Sequence, residues 1–246
     1  MLTVWGCLRE GVDAVVRRFP LLFGGWLLIL GVNQAVTVAV PPTWPWVSLV
    51  ISLVLLAPLQ AGFHLIALRA IRNEPTGFRD LFVGFSRWGT IVGASLLVSL
   101  LICLGILLFL LPGILWALTY AFVPIAILDR SSGVGPRRKL GPIEAMRRSR
   151  ELTEGYRGVL FGIGFLLILP TLAVVALSMV KTFLPEFPLP VWAIRVFLLL
   201  SGTLFLGPLQ AASYMAVYSA VTGLERPPDE RGEGTGPAEP LPIDAR

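Results

Sequence analysis

The sequence predicts an all-α, polytopic membrane protein, and its composition, hydropathy and uncharged runs lead to the same class. Apolar residues make up 55% of the 246 residues and charged residues only 14%, whereas soluble domains carry roughly 25% charged residues. The mean hydropathy is +0.79. Four stretches without Asp, Glu, Lys or Arg are 50, 41, 23 and 29 residues long. These features exclude a soluble globular enzyme, a disordered chain and a disulfide scaffold.

The uncharged runs predict six membrane-spanning helices, because one crossing needs about 20 apolar residues. The two longest runs hold two spans each, divided at Pro41-Pro42 and at Pro112-Gly113, and the other two runs hold one each. A cleaved signal peptide is the alternative for the first span, whose apolar stretch is longer than signal peptides need. The predicted spans are 19–40, 46–69, 89–111, 114–129, 158–180 and 191–221.

These spans form one predicted membrane domain, residues 1–224, followed by a short tail. The tail, residues 225–246, contains five prolines and six acidic residues. Such a composition cannot bury enough apolar surface to fold. We therefore expect a disordered cytoplasmic tail.

An amphipathic segment precedes each predicted hairpin of spans. The apolar positions of the first segment are Trp5, Leu8, Val12, Val15, Val16 and Phe19, and those of the second are Phe78, Leu81, Phe82, Phe85 and Trp88. The third segment runs from Pro142 to Glu154. Their spacing is typical of helices that lie along lipid headgroups, and the alternative is a small cytoplasmic cap of packed helices.

Two of the predicted spans share a short motif. Residues 57–61 in span two resemble residues 207–211 in span six at an offset of 150, and Pro124 gives span four a proline as well. The match predicts a threefold repeat of one amphipathic helix plus one hairpin. A chance match in a chain rich in Leu and Ala is the alternative.

The distribution of basic residues predicts the orientation of the chain. Eighteen of the 20 Lys and Arg residues fall in the termini and loops of one side. The positive-inside rule assigns that side to the cytoplasm. We expect an inner-membrane protein with both termini cytoplasmic.

Polar residues inside the predicted spans are candidates for an intramembrane site. They are Asn33, Gln34, Gln60, His64, Gln210 and Tyr214. Two pairs among them, Gln60 with His64 and Gln210 with Tyr214, are four residues apart and therefore share a helix face. Such a set could line a polar cavity for a headgroup or solute, or it could form hydrogen bonds between helices.

A basic stretch on and just before the third amphipathic segment is a candidate for contact with anionic lipid headgroups. Its members are Arg137, Arg138, Lys139, Arg147, Arg148 and Arg150. Nucleic acid is a poor alternative partner, because the stretch lies against a membrane and lacks a recognition motif. Asp129, at the end of span four, either pairs with the arginines of the third amphipathic segment, Pro142 to Glu154, or is solvated.

The sequence offers little support for catalysis. It contains one histidine and two cysteines, and it has no nucleophile–base pair and no phosphate-binding loop. We expect no enzyme activity, no cofactor and no metal.

Several short motifs resemble a bacterial family. They are Gly84-Phe85, residues 111–114, residues 120–129, and the spacing of Ala145, Ser149, Leu152 and Gly155. Over roughly residues 10–222 the chain is similar to the membrane domain of glycerophosphoryl diester phosphodiesterases and to related six-span proteins. The resemblance implies a bacterial, stand-alone form of this domain, without the catalytic barrel.

The expected function is non-enzymatic. It is envelope or lipid organisation through anionic-lipid contacts, with a membrane-protein partner as a further candidate. The alternative is a permease for a small or amphipathic substrate along a polar path past Gln60 and Gln210. A closed apolar bundle favours the first function, and a cavity open to one side favours the second.

Overall fold

The described part of the chain is built from helices. The computed structural model describes residues 3–41, 43–129, 140–183 and 206–224, and these contain no strand. The helices are α1 Val4–Arg17, α2 Phe19–Ala39, α3 Pro45–Ile71, a 3₁₀ helix Phe78–Arg87, α4 Trp88–Leu108, α5 Leu110–Thr119, α6 Val123–Leu128, α7 Pro142–Thr153, α8 Arg157–Phe183 and α9 Leu206–Leu224.

Four helical stretches of the described residues are long and apolar enough to cross a membrane. They are Phe19–Ala39, Trp46–Ile71, Phe78–Leu108 and Leu111–Leu128. A fifth crossing results if the pair Pro142–Thr153 and Arg157–Pro170, bent by 88°, counts as one span. The all-α class is thus confirmed, and the long apolar helices are compatible with a multi-pass membrane protein, whereas six spans and the threefold repeat are not confirmed. Residues 191–205 of the predicted sixth span and the tail 225–246 lie outside the described residues.

The turn between the third and fourth predicted spans lies earlier than Pro112-Gly113. Helix α4 ends at Leu108 and α5 begins at Leu110, with Phe109 extended between them. Pro112 fits inside the first turn of α5, because N–H groups there have no acceptor within the helix. Gly113 packs directly on α4, since a Cβ added at Gly105 would lie 2.7 Å from the Gly113 Cα.

The short helices pack across spanning helices. Helix α1 packs on α9, the 3₁₀ helix on α3, and α7 on α6. Small residues permit the closest crossings. A Cβ at Gly84 would overlap the Pro58 carbonyl, and one at Gly62 would overlap the Leu81 carbonyl. Because α1 is the first helix of the chain and α9 the last one described, their contact joins the two ends of the fold.

The second amphipathic segment is a 3₁₀ helix rather than an α-helix, and its apolar residues do not share one face. With three residues per turn, positions three apart lie on one side. Leu81 and Gly84 accordingly face α3 and are buried. Phe78 shares that side but is 52% exposed, and Phe82, Phe85 and Trp88, which lie on another side, are exposed as well. The predicted single face therefore divides into a docked side and an exposed side.

Candidate functional site

A buried ion pair joins the ends of two spanning helices. Arg72 directly follows α3 and Asp129 directly follows α6, and their side chains are 13% and 3% exposed. The two guanidinium nitrogens Nη1 and Nη2 of Arg72 lie 3.4 and 3.3 Å from Oδ1 and Oδ2 of Asp129. Two parallel contacts of this kind fix the relative orientation of the guanidinium and the carboxylate, in addition to the attraction between their charges.

Helix α9 completes this cluster. The Tyr218 hydroxyl donates to Oδ2 of Asp129 at 3.1 Å, and Nη2 of Arg72 donates to the Thr222 hydroxyl at 3.1 Å. A buried carboxylate needs several such partners, since it has lost its water. The four side chains, Arg72, Asp129, Tyr218 and Thr222, are called the end cluster below. Among the described residues, Asp129 contacts Arg72 and Tyr218 and not an arginine of α7, and its side chain is buried rather than solvated.

Further hydrogen bonds bring the short helices to the same end of the bundle. Arg17 of α1 donates from Nη1 to Oδ1 of Asn73 at 2.6 Å. Arg87 of the 3₁₀ helix donates from Nη1 to the Ile127 carbonyl of α6 at 3.1 Å. The end cluster, α1 and the 3₁₀ helix therefore lie together, and this region is called the basic end.

A cavity of about 400 Å³ lies between α3, α4 and the α5–α6 pair. Its polar lining residues are Ser52, Gln60, Ser95, Ser99 and Tyr120. Among the described residues that line it, none is charged. Gln60, Ser99 and Ala117 are exposed, so the cavity is open at their position. We call it the Gln60 groove.

The Gln60 groove lies at mid-depth of the spanning helices. Gln60 precedes Arg72 of the end cluster by 12 residues and follows the exposed Trp46 by 14. At 1.5 Å per residue these separations correspond to about 18 and 21 Å along α3. A bilayer with a hydrocarbon core about 30 Å thick whose two surfaces lie near Trp46 and Arg72 has Gln60 near its middle.

One wall of the groove is a broken helix. Residues 120–122 separate α5 from α6, and Tyr120 in this break lines the groove. Ser149 of α7 bonds to the backbone on both sides of this break. Its hydroxyl donates to the Thr119 carbonyl at 2.8 Å and accepts from the Phe122 N–H at 3.2 Å. The break is therefore held by α7, as non-helical backbone at membrane depth requires.

The opposite wall, α3, stays continuous although it contains Pro58. A proline has no N–H, so the carbonyl one turn earlier, that of Val54, loses its helical donor. The Trp88 indole Nε1 donates to that carbonyl at 3.0 Å. In both walls, therefore, backbone groups that have no partner within their own helix bond to a side chain of a neighbouring segment.

The structure places the six predicted intramembrane residues in different surroundings. Gln60 lines the groove, whereas Gln210 lines a separate cavity of about 190 Å³ beside Trp26 and Gly164. Both glutamines are exposed rather than enclosed in the core. Gln60 and Gln210 therefore line two separate cavities.

The other four predicted residues line neither cavity. Tyr214 donates to the Leu160 carbonyl at 3.4 Å and so bonds between helices. His64 is half-buried, and Asn33 and Gln34 are exposed on α2. The sequence analysis missed the serines of the groove, although the four-residue spacing of Ser95 and Ser99 marks one helix face.

The predicted lipid-contact residues are described only in part. Arg147 and Arg150 of α7 are exposed, the side chain of Arg147 to 79%. Arg148 lies closer to the protein and contacts Glu151 at 3.5 Å. The remaining three, Arg137, Arg138 and Lys139, lie outside the described residues.

Comparisons with known proteins leave the family open. No family model, curated protein or solved structure matches this chain. The resemblance to the membrane domain of glycerophosphoryl diester phosphodiesterases therefore stays a prediction.

Proposed function

We propose that the chain is a non-enzymatic, multi-pass protein of a bacterial inner membrane that organises lipid around its basic end. In this proposal the basic end and both termini face the cytoplasm. Eighteen of the 20 Lys and Arg residues fall on that side in the predicted topology, which supports the orientation. The observation that carries the proposal is the surface of α1.

Three sectors follow one another around α1. The sector buried against α9 and its neighbours consists of Cys7, Leu8, Gly11 and Ala14. An adjacent apolar sector is exposed and consists of Trp5, Val12 and Val16. A polar sector consists of Arg9, Glu10, Asp13 and Arg17. A helix with one protein side, one apolar side and one charged side fits the boundary between acyl chains and headgroups.

The other two short helices have the same combination of exposed apolar and basic groups. In the 3₁₀ helix, Phe78 and Phe82 are about half exposed beside Arg79. In α7, Ile143 is 76% exposed and lies one turn from Arg147. A cap in water would leave these apolar side chains solvated, whereas a membrane interface would bury them. The same surface therefore favours lipid contact over a cytoplasmic cap.

The experiment compares hydrogen exchange in nanodiscs of neutral lipid with exchange in discs that contain anionic lipid. We expect α7 to exchange more slowly in the anionic discs, because each basic residue near such a surface contributes about 1 kcal/mol. The double variant Arg147→Gln with Arg150→Gln should lose about 2 kcal/mol of this protection. High salt should weaken the protection in the parent protein, since the attraction decays within a Debye length.

Lys181→Gln is the matched control, because it removes positive charge near the far end of α8. The helix has 27 residues and so is about 40 Å long. The control should retain the full difference between the two kinds of disc. Equal exchange of α7 in neutral and anionic discs would contradict the proposal and leave the arginines a role in topology alone.

A permease for an amphipathic substrate is the second candidate, and the Gln60 groove is the observation that favours it. Proteoliposomes should then move a short-chain fluorescent lipid between leaflets faster than protein-free liposomes, as measured by dithionite quenching. A rate equal to that of protein-free liposomes would contradict transport. The separate positions of Gln60 and Gln210 already give this candidate less support than the first.

A further inference from the structure

We propose that the Gln60 groove binds one uncharged lipid that carries hydroxyl and ester groups, of the diacylglycerol type. Its polar glycerol end pairs with the hydroxyls and the amide of the groove, and its chains extend past the exposed positions Ser99 and Ala117 into the bilayer. The inference concerns a different site from the anionic-lipid surface of the basic end. It shares the groove with the permease candidate, but it requires binding only.

The lining of the groove has the hydrogen-bonding chemistry of an uncharged lipid's polar end. Ser52, Ser95, Ser99 and Tyr120 supply hydroxyls, and Gln60 supplies an amide. Each of these groups donates and accepts hydrogen bonds, which matches hydroxyls and ester carbonyls. The lining provides no cation for a phosphate among the described residues. A charged group at this depth would lack a partner, which is costly in a bilayer.

The size and position of the groove also fit a ligand that comes from the bilayer. The cavity of about 400 Å³ is within the range of small-molecule sites, ~300–1,000 Å³. It is open at mid-depth, where the surrounding medium is lipid. A ligand of the groove therefore arrives from the bilayer and must itself be soluble there.

A broken helix, the α5–α6 pair, forms one wall of the groove. Interrupted helices at membrane depth are tolerated where they are buried or line a cavity, and in transporters they mark binding sites. The break at residues 120–122 is bonded by Ser149 on the side away from the groove and presents Tyr120 on the groove side. Polar lining, cavity size and broken backbone thus coincide at one place.

The experiment uses a diacylglycerol with a photoactivatable diazirine in one acyl chain, added to the full chain in neutral nanodiscs. After irradiation, peptide mapping should find the label on α3, α4 and α5. Unlabelled dioleoylglycerol should compete for the labelling, and dioleoylphosphatidylglycerol should compete at least tenfold less well. Labelling spread evenly over α2 and α8 would overturn the inference, and so would equal competition by the two lipids.

Gln60→Leu tests the polar contact while keeping the size of the side chain. Loss of one hydrogen bond in a membrane should lower competable labelling by about three- to tenfold. Gln34→Leu is the matched control, since it makes the same change at an exposed position on α2 that does not line the groove. Equal losses in the two variants would overturn the inference.

Ala117→Phe is an independent test that leaves the polar residues intact. Ala117 is exposed at the groove, so a larger side chain fits without disturbing the core. The phenyl ring should occupy the groove and abolish competable labelling, with elution in gel filtration unchanged. Undiminished labelling would overturn the proposed location. Because the label is read in neutral lipid, this result is independent of anionic-lipid binding at the basic end.

Discussion

The helices α3 and α5–α6 meet at the basic end and separate at mid-depth. At the basic end the Arg72–Asp129 pair joins them, and Tyr218 of α9 bonds to the same carboxylate. At mid-depth the same helices form walls of the Gln60 groove. Both places are polar. At the basic end, opposite charges bond to each other across the helices, whereas at mid-depth uncharged polar side chains line a cavity. We therefore expect the end cluster to stabilise the fold and the groove to bind the ligand.

The largest expected effect comes from breaking the end cluster on one side. Asp129→Leu removes the carboxylate that the largely buried Arg72 contacts, and removal of one partner of a buried pair typically costs about 3–5 kcal/mol. Unfolding in detergent, followed by circular dichroism, measures this loss. Diacylglycerol labelling of the groove should survive in the fraction that remains folded, because no member of the end cluster lines the groove.

The double variant Asp129→Leu with Arg72→Met is the control for this prediction. It removes both charges of the pair together, and apolar replacement of a buried pair is often neutral in stability. It should therefore be more stable than Asp129→Leu alone. The single variant Arg72→Met completes the comparison. A loss of stability in the double variant equal to the sum of the losses in the two single variants would show that the pair is not coupled. The contrast with the groove would then fail.

A smaller effect is expected at the crossing of the 3₁₀ helix and α3, between the end cluster and the groove. Gly84→Ala places a Cβ on the Pro58 carbonyl, and overpacking of this kind costs about 1–3 kcal/mol. Gly89→Ala makes the same change in α4 where nothing lies within 4 Å of the added Cβ. This control should gain up to about 1 kcal/mol, because alanine favours a helix. Equal unfolding midpoints of the two variants would contradict the close crossing.

The spanning helices could be predicted from the sequence, whereas the end cluster could not. Uncharged runs report directly on the hydrocarbon core, so α2, α3 and α4 were predicted to within a few residues. Arg72, Asp129 and Tyr218 lie on three distant segments, and only packing of α3, α6 and α9 brings them together. Local spacing holds no information about such a contact.

Of the polar residues that line the groove, only Gln60 was predicted from the sequence as a candidate site residue. Gln60 is conspicuous because an amide is rare in an apolar run. Ser95, Ser99 and Ser52 are not, because a serine inside a helix commonly bonds to the carbonyl one turn earlier. Only the separation of α3 from α5 shows that these hydroxyls line a cavity.

The smallest effect concerns the packing of α1 on α9. It tests whether α1 is firmly docked at the basic end. Cys7 is 2% exposed in this contact, and burial, with a contribution from the Glu10 carboxylate, raises the pKa of its thiol. Since the thiolate is the reactive form, a maleimide should label Cys7 slowly near neutral pH and faster as the pH rises beyond the usual thiol range. The measurement uses a Cys103→Ser background, so that Cys7 is the sole thiol.

Gly11→Ala should accelerate this labelling by about tenfold, because the added Cβ would lie 3.0 Å from the Ser213 backbone nitrogen and weaken docking. Val12→Ala, on the exposed sector of α1, should leave the rate unchanged. Neither substitution is expected to shift global unfolding by more than a small amount, since the end cluster remains intact. Labelling of Cys7 at neutral pH as fast as a free cysteine would show that α1 is not docked, and the closed end would then comprise α3, α6 and α9 alone.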